Sequence, residues 1–221
     1  RSVFHRFREA DQKITVLQSM NEFQKKNFKS DTVAKTIYLE LLRFIKALKI
    51  LYSRDKQALG SVKGTELYKE LDGVLGNRYI GLKVFWRLLR EFDFIDSHAE
   101  TNKKEIILNE EKLGSLMDFI NNEIKSERFL LLSHTAVAIL RKIIGYIQEE
   151  HKADLKTYEF DPKESRLNQL PFYEDAIKEL KRNDLITENK NNLIVDPQTI
   201  HHNYLFQSII KAFDHTIVNV E

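Results

Sequence analysis

Residues 77–108 contain the feature that most constrains the fold, an amphipathic helix followed at once by two short apolar segments with a charged turn between them. At about 100° per residue, the helical part has one apolar face. That face comprises Leu82, Val84, Phe85, Leu88, Leu89 and Phe92. Beyond the helix, Phe94 and Ile95 precede the charged turn, and Ile106, Ile107 and Leu108 follow it. The pattern therefore predicts a helix that packs through its apolar face and leads directly into a β-hairpin.

The outer face of the same helix is predicted to carry three cations and two aromatic rings, with no acid before Glu91. Its members are Tyr79, Lys83, Trp86, Arg87 and Arg90. Arg78 stands near the start of the helix, and Lys103 and Lys104 stand in the turn. Cations on such a face release counterions from a phosphate backbone, and aromatic rings add flat contact area. These eight residues form the predicted nucleic-acid site. Two alternatives are a solvated charged face and a Trp86 ring buried beneath an amino-terminal helix.

Composition excludes several classes of protein. The chain has 221 residues, 42% of them hydrophobic, with 7 Gly and 3 Pro, which predicts a folded and mostly helical protein. It has no Cys, so disulfides and thiolate metal sites are excluded, and an intracellular location is expected. Its apolar runs are far shorter than the roughly 20 residues of a membrane span, so no membrane association is expected.

The charge is unevenly distributed along the chain. Residues 1–125 hold 23 Lys and Arg against 18 Asp and Glu, a net charge of +5. Residues 126–221 hold 12 against 15, a net charge of −3. Attraction for an anion is therefore predicted for the first half only.

Helical periodicity and turn signals predict the other elements. In the first half, helices are expected over residues 1–28, from the cap at Ser30–Thr32 to Tyr52, over 65–75 and over 110–125. The third of these has Leu67, Leu71 and Val74 as its apolar side. In the second half, helices are expected over 133–150, 165–170, 172–184 and 200–217, with a hairpin from Leu185 to Val195. Residues 152–170 also fit a strand or a loop.

The two halves repeat one order of elements. LLREFDFI, NKKEII and an amphipathic helix in the first half match ELKRNDLI, NKNNLI and a helix in the second. Each half resembles a winged-helix domain, so the chain resembles tandem winged-helix proteins over about residues 32–108 and 133–195. The resemblance implies a mostly α fold with small β-hairpin wings. We expect an amino-terminal helix (1–30), a first winged-helix unit (31–126) and a second (127–221).

In such proteins the third helix enters the major groove of DNA and the wing contacts the backbone or the minor groove. The corresponding helix of the second half mixes Glu174 and Asp175 with Lys178, Lys181 and Arg182, which suits phosphates less well. We therefore expect a DNA-binding regulator, or a replication or segregation protein, that contacts duplex DNA through the first unit. Phosphate contacts would dominate, and Arg87 or Lys83 would read bases.

The alternative function is a non-catalytic protein-interaction module, such as the tandem winged-helix subunit of a condensin-like or transcription complex. It would bind a protein partner, or a second copy of itself, through one of three surfaces. These are the amino-terminal helix, the acidic second unit, and exposed apolar residues near Tyr204, Leu205 and Phe206. Fold resemblance alone does not distinguish the two functions.

Catalysis is not expected. The seven His residues show no H-E-x-x-H spacing, and no G-x-S-x-G motif is present. The segment from Gly60 to Thr65 lacks the spacing of a phosphate-binding loop. We therefore expect no enzyme activity, no cofactor and no metal site.

Overall fold

A computed structural model describes residues 30–76, 79, 81–97, 105–150 and 156–218. Most of them are helical, and short antiparallel strands account for the sheets, so the prediction of a mostly α fold with small β elements is confirmed. The chain divides into two compact units. Unit 1 extends to Phe129 and includes the chain from Ala212 onwards, and unit 2 is Leu130–Lys211. The predicted amino-terminal helix lies outside the described residues.

Among the described residues up to Phe129, unit 1 contains four helices and a two-stranded sheet. They are α1 (Ser30–Leu59), α2 (Gly64–Leu75), α3 (Leu82–Glu91), β1 (Ile95–Ser97), β2 (Ile106–Leu108) and α4 (Glu110–Ser126). Helix α1 continues beyond the predicted end at Tyr52, because the polar residues that follow are good helix formers even though the apolar stripe has stopped. It ends before Gly60, whose φ of 73° suits a residue without a side chain.

The core of unit 1 is built mainly from the apolar stripes of its four helices. Its largest fully buried side chains include Tyr38, Phe44, Phe85 and Phe94. The prediction that Val74 packs inward was wrong, since its side chain is 62% exposed. Leu75 is buried instead. The spacing of Leu67, Leu71 and Leu75 places these three side chains on one side of α2 more closely than a stripe that ends at residue 74.

The predicted hairpin of unit 1 has a third backbone partner that the sequence did not indicate. Strands β1 and β2 are antiparallel, with Ile95 opposite Leu108. The N–H of Ile106 also donates to the carbonyl of Val62 at 2.9 Å, and Lys63 forms a bridge with Glu105. The connection between α1 and α2 therefore extends the sheet on the side of β2.

Unit 2 follows a similar order with a larger sheet. Its elements are α5 (His134–Glu149), β3 (Tyr158–Phe160), a 3-10 turn (Leu167–Gln169), α6 (Tyr173–Arg182), β4 (Ile186–Asn189), β5 (Asn192–Val195) and the first part of α7 (Pro197–Val218). Strand β5 is central and antiparallel to both neighbours, in the order β3–β5–β4. The hydroxyl of Ser133 caps α5 by accepting from the N–H of Ala136. For residues 152–170 the sequence did not decide between a strand, a loop and a helix; they contain β3 and the 3-10 turn.

Helix α7 packs its apolar residues inward. Leu205 is fully buried and Phe206 is 2% exposed, so the predicted exposed apolar surface near Tyr204 was wrong. Periodicity alone did not indicate which side of α7 is buried. The buried amide of Gln207 donates to the carbonyl of Leu130 and accepts from the N–H of Leu132, which holds the start of unit 2 against this helix. In the described part of the chain, no helix combines the length and apolarity needed to span a membrane.

The buried imidazole of His202 on α7 predicts an acid-sensitive unit 2. The pKa of His202 is lowered from an ordinary 6.5 to about 4, because burial and the charge of His201 together outweigh the opposing effect of Asp196. Between these two pKa values the unfolded chain binds a proton that the folded chain does not, so stability falls as pH falls from 6.5 towards 4. From pH 7 to pH 5 we expect a loss of about 2 kcal/mol from this group.

Urea unfolding of the wild type and His202→Gln at both pH values measures this effect. The variant should lack the contribution of about 2 kcal/mol, whereas the exposed control His134→Gln should behave as the wild type. Equal losses in wild type and His202→Gln would show that His202 is not the responsible group.

Candidate nucleic-acid interface

Helix α3 separates an apolar face from a basic one. Leu82, Phe85, Leu88 and Leu89 are buried. Lys83, Arg87 and Arg90 are all exposed. Their spacing of four and three residues places them on one side of the helix, opposite the core. We refer to Lys83, Arg87 and Arg90 as the basic face.

The charges around the basic face leave it accessible to an anion. The Nε of Arg87 lies 3.5 Å from a carboxylate oxygen of Glu91, one turn further along α3. Both side chains are more than half exposed. Exposed pairs of this kind contribute less than about 1 kcal/mol, so a phosphate can replace Glu91 at little cost. Arg90 lies in the last turn, where the helix dipole favours a cation.

Trp86 packs against helix α2. Its ring meets the ring of Tyr68 edge to face, with centroids 5.4 Å apart and planes at 77°. Both residues are half-buried. Burial raises the pKa of Tyr68, and Asp72 raises it further, so this phenol stays neutral and available as a hydrogen-bond donor. The sequence missed Tyr68 because only the packing of α2 on α3 brings it to Trp86.

Tyr79 does not belong to the basic face, which corrects the sequence interpretation. Helix α3 begins at Leu82, so helical periodicity does not apply to residue 79. The ring of Tyr79 stacks on Phe44 at an interplanar angle of 11°, and its hydroxyl donates to the carbonyl of Glu40. Burial raises the pKa of Tyr79, the charge of Glu40 adds to this, and Arg43 opposes it. Tyr79 therefore anchors the start of α3 to α1.

Arg43 is a further cation that the sequence did not assign to this surface. It is exposed on α1, and its guanidinium lies 5.7 Å from the centroid of the Tyr79 ring. A guanidinium over an aromatic ring is attracted to its face. Because Tyr79 immediately precedes α3, Arg43 adds positive charge near the start of that helix. No local pattern could reveal this, since residues 43 and 79 are brought together only by the packing of α1.

The remaining predicted site residues are Arg78, Lys103 and Lys104, which lie outside the described residues. Strands β1 and β2 bound the segment that contains the two lysines.

The corresponding helix of unit 2 presents a different surface. Helix α6 has Glu174 and Asp175 in its first turn, both exposed. The ammonium of Lys181 pairs with the carboxylate of Glu188 on β4. Its surface therefore mixes acids with paired and exposed cations, and a phosphate backbone would meet repulsion at its amino-terminal end.

No other chemical site stands out in the described residues, where no group of three or more His, Asp or Glu side chains is arranged to hold a metal ion. Comparison with known proteins gives no significant match to a family model, a curated protein or a solved structure.

Proposed function

We propose that both units are winged-helix domains and that unit 1 binds duplex DNA through α3. The order of elements supports the domain assignment. In each unit a helix is followed by an extended segment, a helical segment, a second helix and two antiparallel strands. In unit 2 the extended segment is β3, which pairs with β5; in unit 1 it is the stretch at Val62 and Lys63, which pairs with β2. This shared arrangement favours two copies of one domain.

The observation that carries the DNA-binding proposal is the basic face itself. Three exposed cations extend from one side of a helix whose other side is buried in the core. A rigid helix of this kind can lie in the major groove, with cations reaching phosphates on either side. Lys83 and Arg90, at opposite ends of the face, are placed to contact phosphates, and Arg87, between them, is the residue we assign to base contact.

Other residues would extend the contact beyond α3. Arg43 would meet the backbone near the start of the helix, and Arg78 would act close by. Lys103 and Lys104 would contact the backbone from the segment between β1 and β2. The half-buried pair of Trp86 and Tyr68 would hold α3 against α2 and provide flat surface beside the basic face.

Fluorescence anisotropy with a labelled random duplex, titrated across salt concentrations, tests this proposal. We expect Lys83→Ala, Arg87→Ala and Arg90→Ala combined to weaken binding at least about tenfold at low salt. The slope of log K against log salt should decrease by roughly 1.8, because Lys83 and Arg90 are the two phosphate contacts and each one lost removes about 0.9.

A matched control removes three cations from α6 instead, through Lys178→Ala, Lys181→Ala and Arg182→Ala. It changes the net charge equally and should alter DNA affinity far less. An unchanged affinity in the α3 variant, or equal losses in both variants, would remove the basic face as the site. If the wild type does not bind DNA at low salt, the second candidate function, a protein-interaction module, is favoured. The observation that supports this second function is an exposed aromatic residue in unit 2.

A further inference from the structure

Phe172 is an exposed aromatic residue at a position where local structure does not favour it. It immediately precedes α6, and its side chain is 69% exposed. Its backbone lies in the left-handed region, at φ 59° and ψ 21°, and its side chain makes no capping hydrogen bond. Glycine or asparagine tolerates this conformation better, and bulky residues adopt it at a cost in backbone strain. Neither burial nor helix capping therefore accounts for a phenyl ring here.

Unit 1 has a different residue at the corresponding place. The residue before α3 is Gly81, and a Cβ there would lie 2.3 Å from the ring of Phe85. In unit 1 this position is thus filled by the core, whereas in unit 2 it presents a ring to solvent. An exposed aromatic residue held on a rigid turn is typical of an anchor in a protein interface.

Carboxylates from three parts of unit 2 act electrostatically on the neighbouring residue, half-buried Tyr173. Burial raises the pKa of Tyr173, and the charges of Glu174, Glu188 and Asp161 raise it further. These acids belong to α6, to β4 and to the segment after β3. The aromatic residues at the start of α6 therefore lie in a negative environment. Of the three acids, Glu188 is paired with Lys181, and Asp161 accepts from the N–H of Lys163.

Unit 2 also contains a cleft of about 550 Å³. Asp161 lines this cleft together with Glu150, Glu159 and Glu164, and aromatic rings such as that of Tyr158 form part of its wall. Among the described residues that line it, none is Lys or Arg. Aromatic rings beside carboxylates are suited to guanidinium groups, which stack on rings and donate bidentate hydrogen bonds to carboxylates.

We infer that the surface formed by Phe172, Tyr173, Glu174, Asp175 and Asp161 docks a basic, partly apolar segment of another protein. An apolar side chain of that segment packs on Phe172, and its Lys or Arg side chains contact the carboxylates. Charge complementarity selects this occupant, since the acids that attract a basic peptide repel a phosphate backbone. Lys178, one turn beyond Glu174, marks the end of the acidic surface along α6. This inference does not depend on DNA binding by unit 1.

Anisotropy of a labelled peptide of alternating Leu and Arg, titrated with the whole chain, tests the inference. Two further peptides serve as comparisons. In one, Glu replaces Arg, and in the other, Ser replaces Leu. We expect the Leu/Arg peptide to bind, and Phe172→Ala to weaken it about fivefold or more. Phe172→Tyr, which keeps the ring, should restore most of the affinity. Glu174→Gln combined with Asp175→Asn should weaken binding about threefold and reduce its dependence on salt.

Several results would overturn the inference. They are no binding of the Leu/Arg peptide at about 1 mM protein, equal binding of the Leu/Glu peptide, and an unchanged affinity in Phe172→Ala. The DNA affinity of Phe172→Ala should equal that of the wild type. A failure of the docking inference can therefore be distinguished from a failure of the proposed DNA interface. Because Phe172 is exposed, thermal unfolding of the variant should match the wild type or exceed it, which separates lost docking from lost folding.

Discussion

Replacing Phe85 with Ala is expected to lower the free energy of unfolding of unit 1 by about 3–5 kcal/mol. The ring is fully buried and contacts three others, those of Phe44, Tyr79 and Phe213, with centroids 5.7, 6.1 and 5.8 Å away. Truncation removes all three contacts and leaves a cavity that the surrounding aromatic rings cannot easily fill. Because Phe85 also holds α3 in place, the basic face should lose its fixed geometry together with the stability.

Urea unfolding monitored by far-ultraviolet circular dichroism measures this loss. Val74→Ala is the matched control, since it truncates an apolar side chain of the same unit that is 62% exposed. That control should change stability by less than about 0.5 kcal/mol. A loss below about 1 kcal/mol for Phe85→Ala would mean that the ring cluster does not organise the start of α3.

Gly81→Ala is expected to destabilise unit 1 by about 2–3 kcal/mol through overpacking rather than through a cavity. The added Cβ would lie 2.3 Å from Cε2 of Phe85, far inside ordinary contact distance. Phe85 is fully buried, so its ring cannot move aside without displacing Phe44 or Tyr79. The backbone of Gly81, at φ −74°, is accessible to any residue, so the effect reports packing and not backbone strain.

Gly73→Ala tests this explanation with the same chemical change. Gly73 lies within α2, and a Cβ there would meet no atom within 4 Å. Alanine is favoured over glycine inside a helix, so we expect a gain of about 0.5–1 kcal/mol. The unfolding temperatures of Gly81→Ala and Gly73→Ala should therefore shift in opposite directions. A Gly81→Ala variant as stable as the wild type would show that Phe85 has room to move.

Periodicity predicted the elements of this chain where one face of a segment is apolar and the other polar. The residues of α3 are an example, since Leu82, Phe85, Leu88 and Leu89 of the predicted apolar face are buried, whereas Val84 and Phe92 are only half-buried. The hairpin β4–β5 was likewise predicted from two short apolar runs around the polar segment 188–192. Strand β3 was left open among alternatives, because a strand of three residues has too few side chains to define a period.

The candidate site was only partly predictable. The exposed positions of Lys83, Arg87 and Arg90 follow from their spacing on one helix. Tyr79 was placed on the outer face by the same rule, and that was wrong because the helix starts three residues later. Tyr68 and Arg43 were missed, since each reaches α3 from another helix. Their contacts join residues far apart in the chain, and such contacts leave no local pattern.

By itself, the sequence determined most of the helices and strands in the described residues, and in most of them the apolar side, because burial requires apolar side chains at the period of the element. It also determined where positive charge concentrates. The tertiary structure alone decided that Tyr79 anchors α1 to α3, that Arg43 lies over the Tyr79 ring, and that Phe172 faces solvent on a left-handed turn. The physical reason is that these outcomes depend on which faces meet and how their side chains share space, and that choice is made by packing among distant segments.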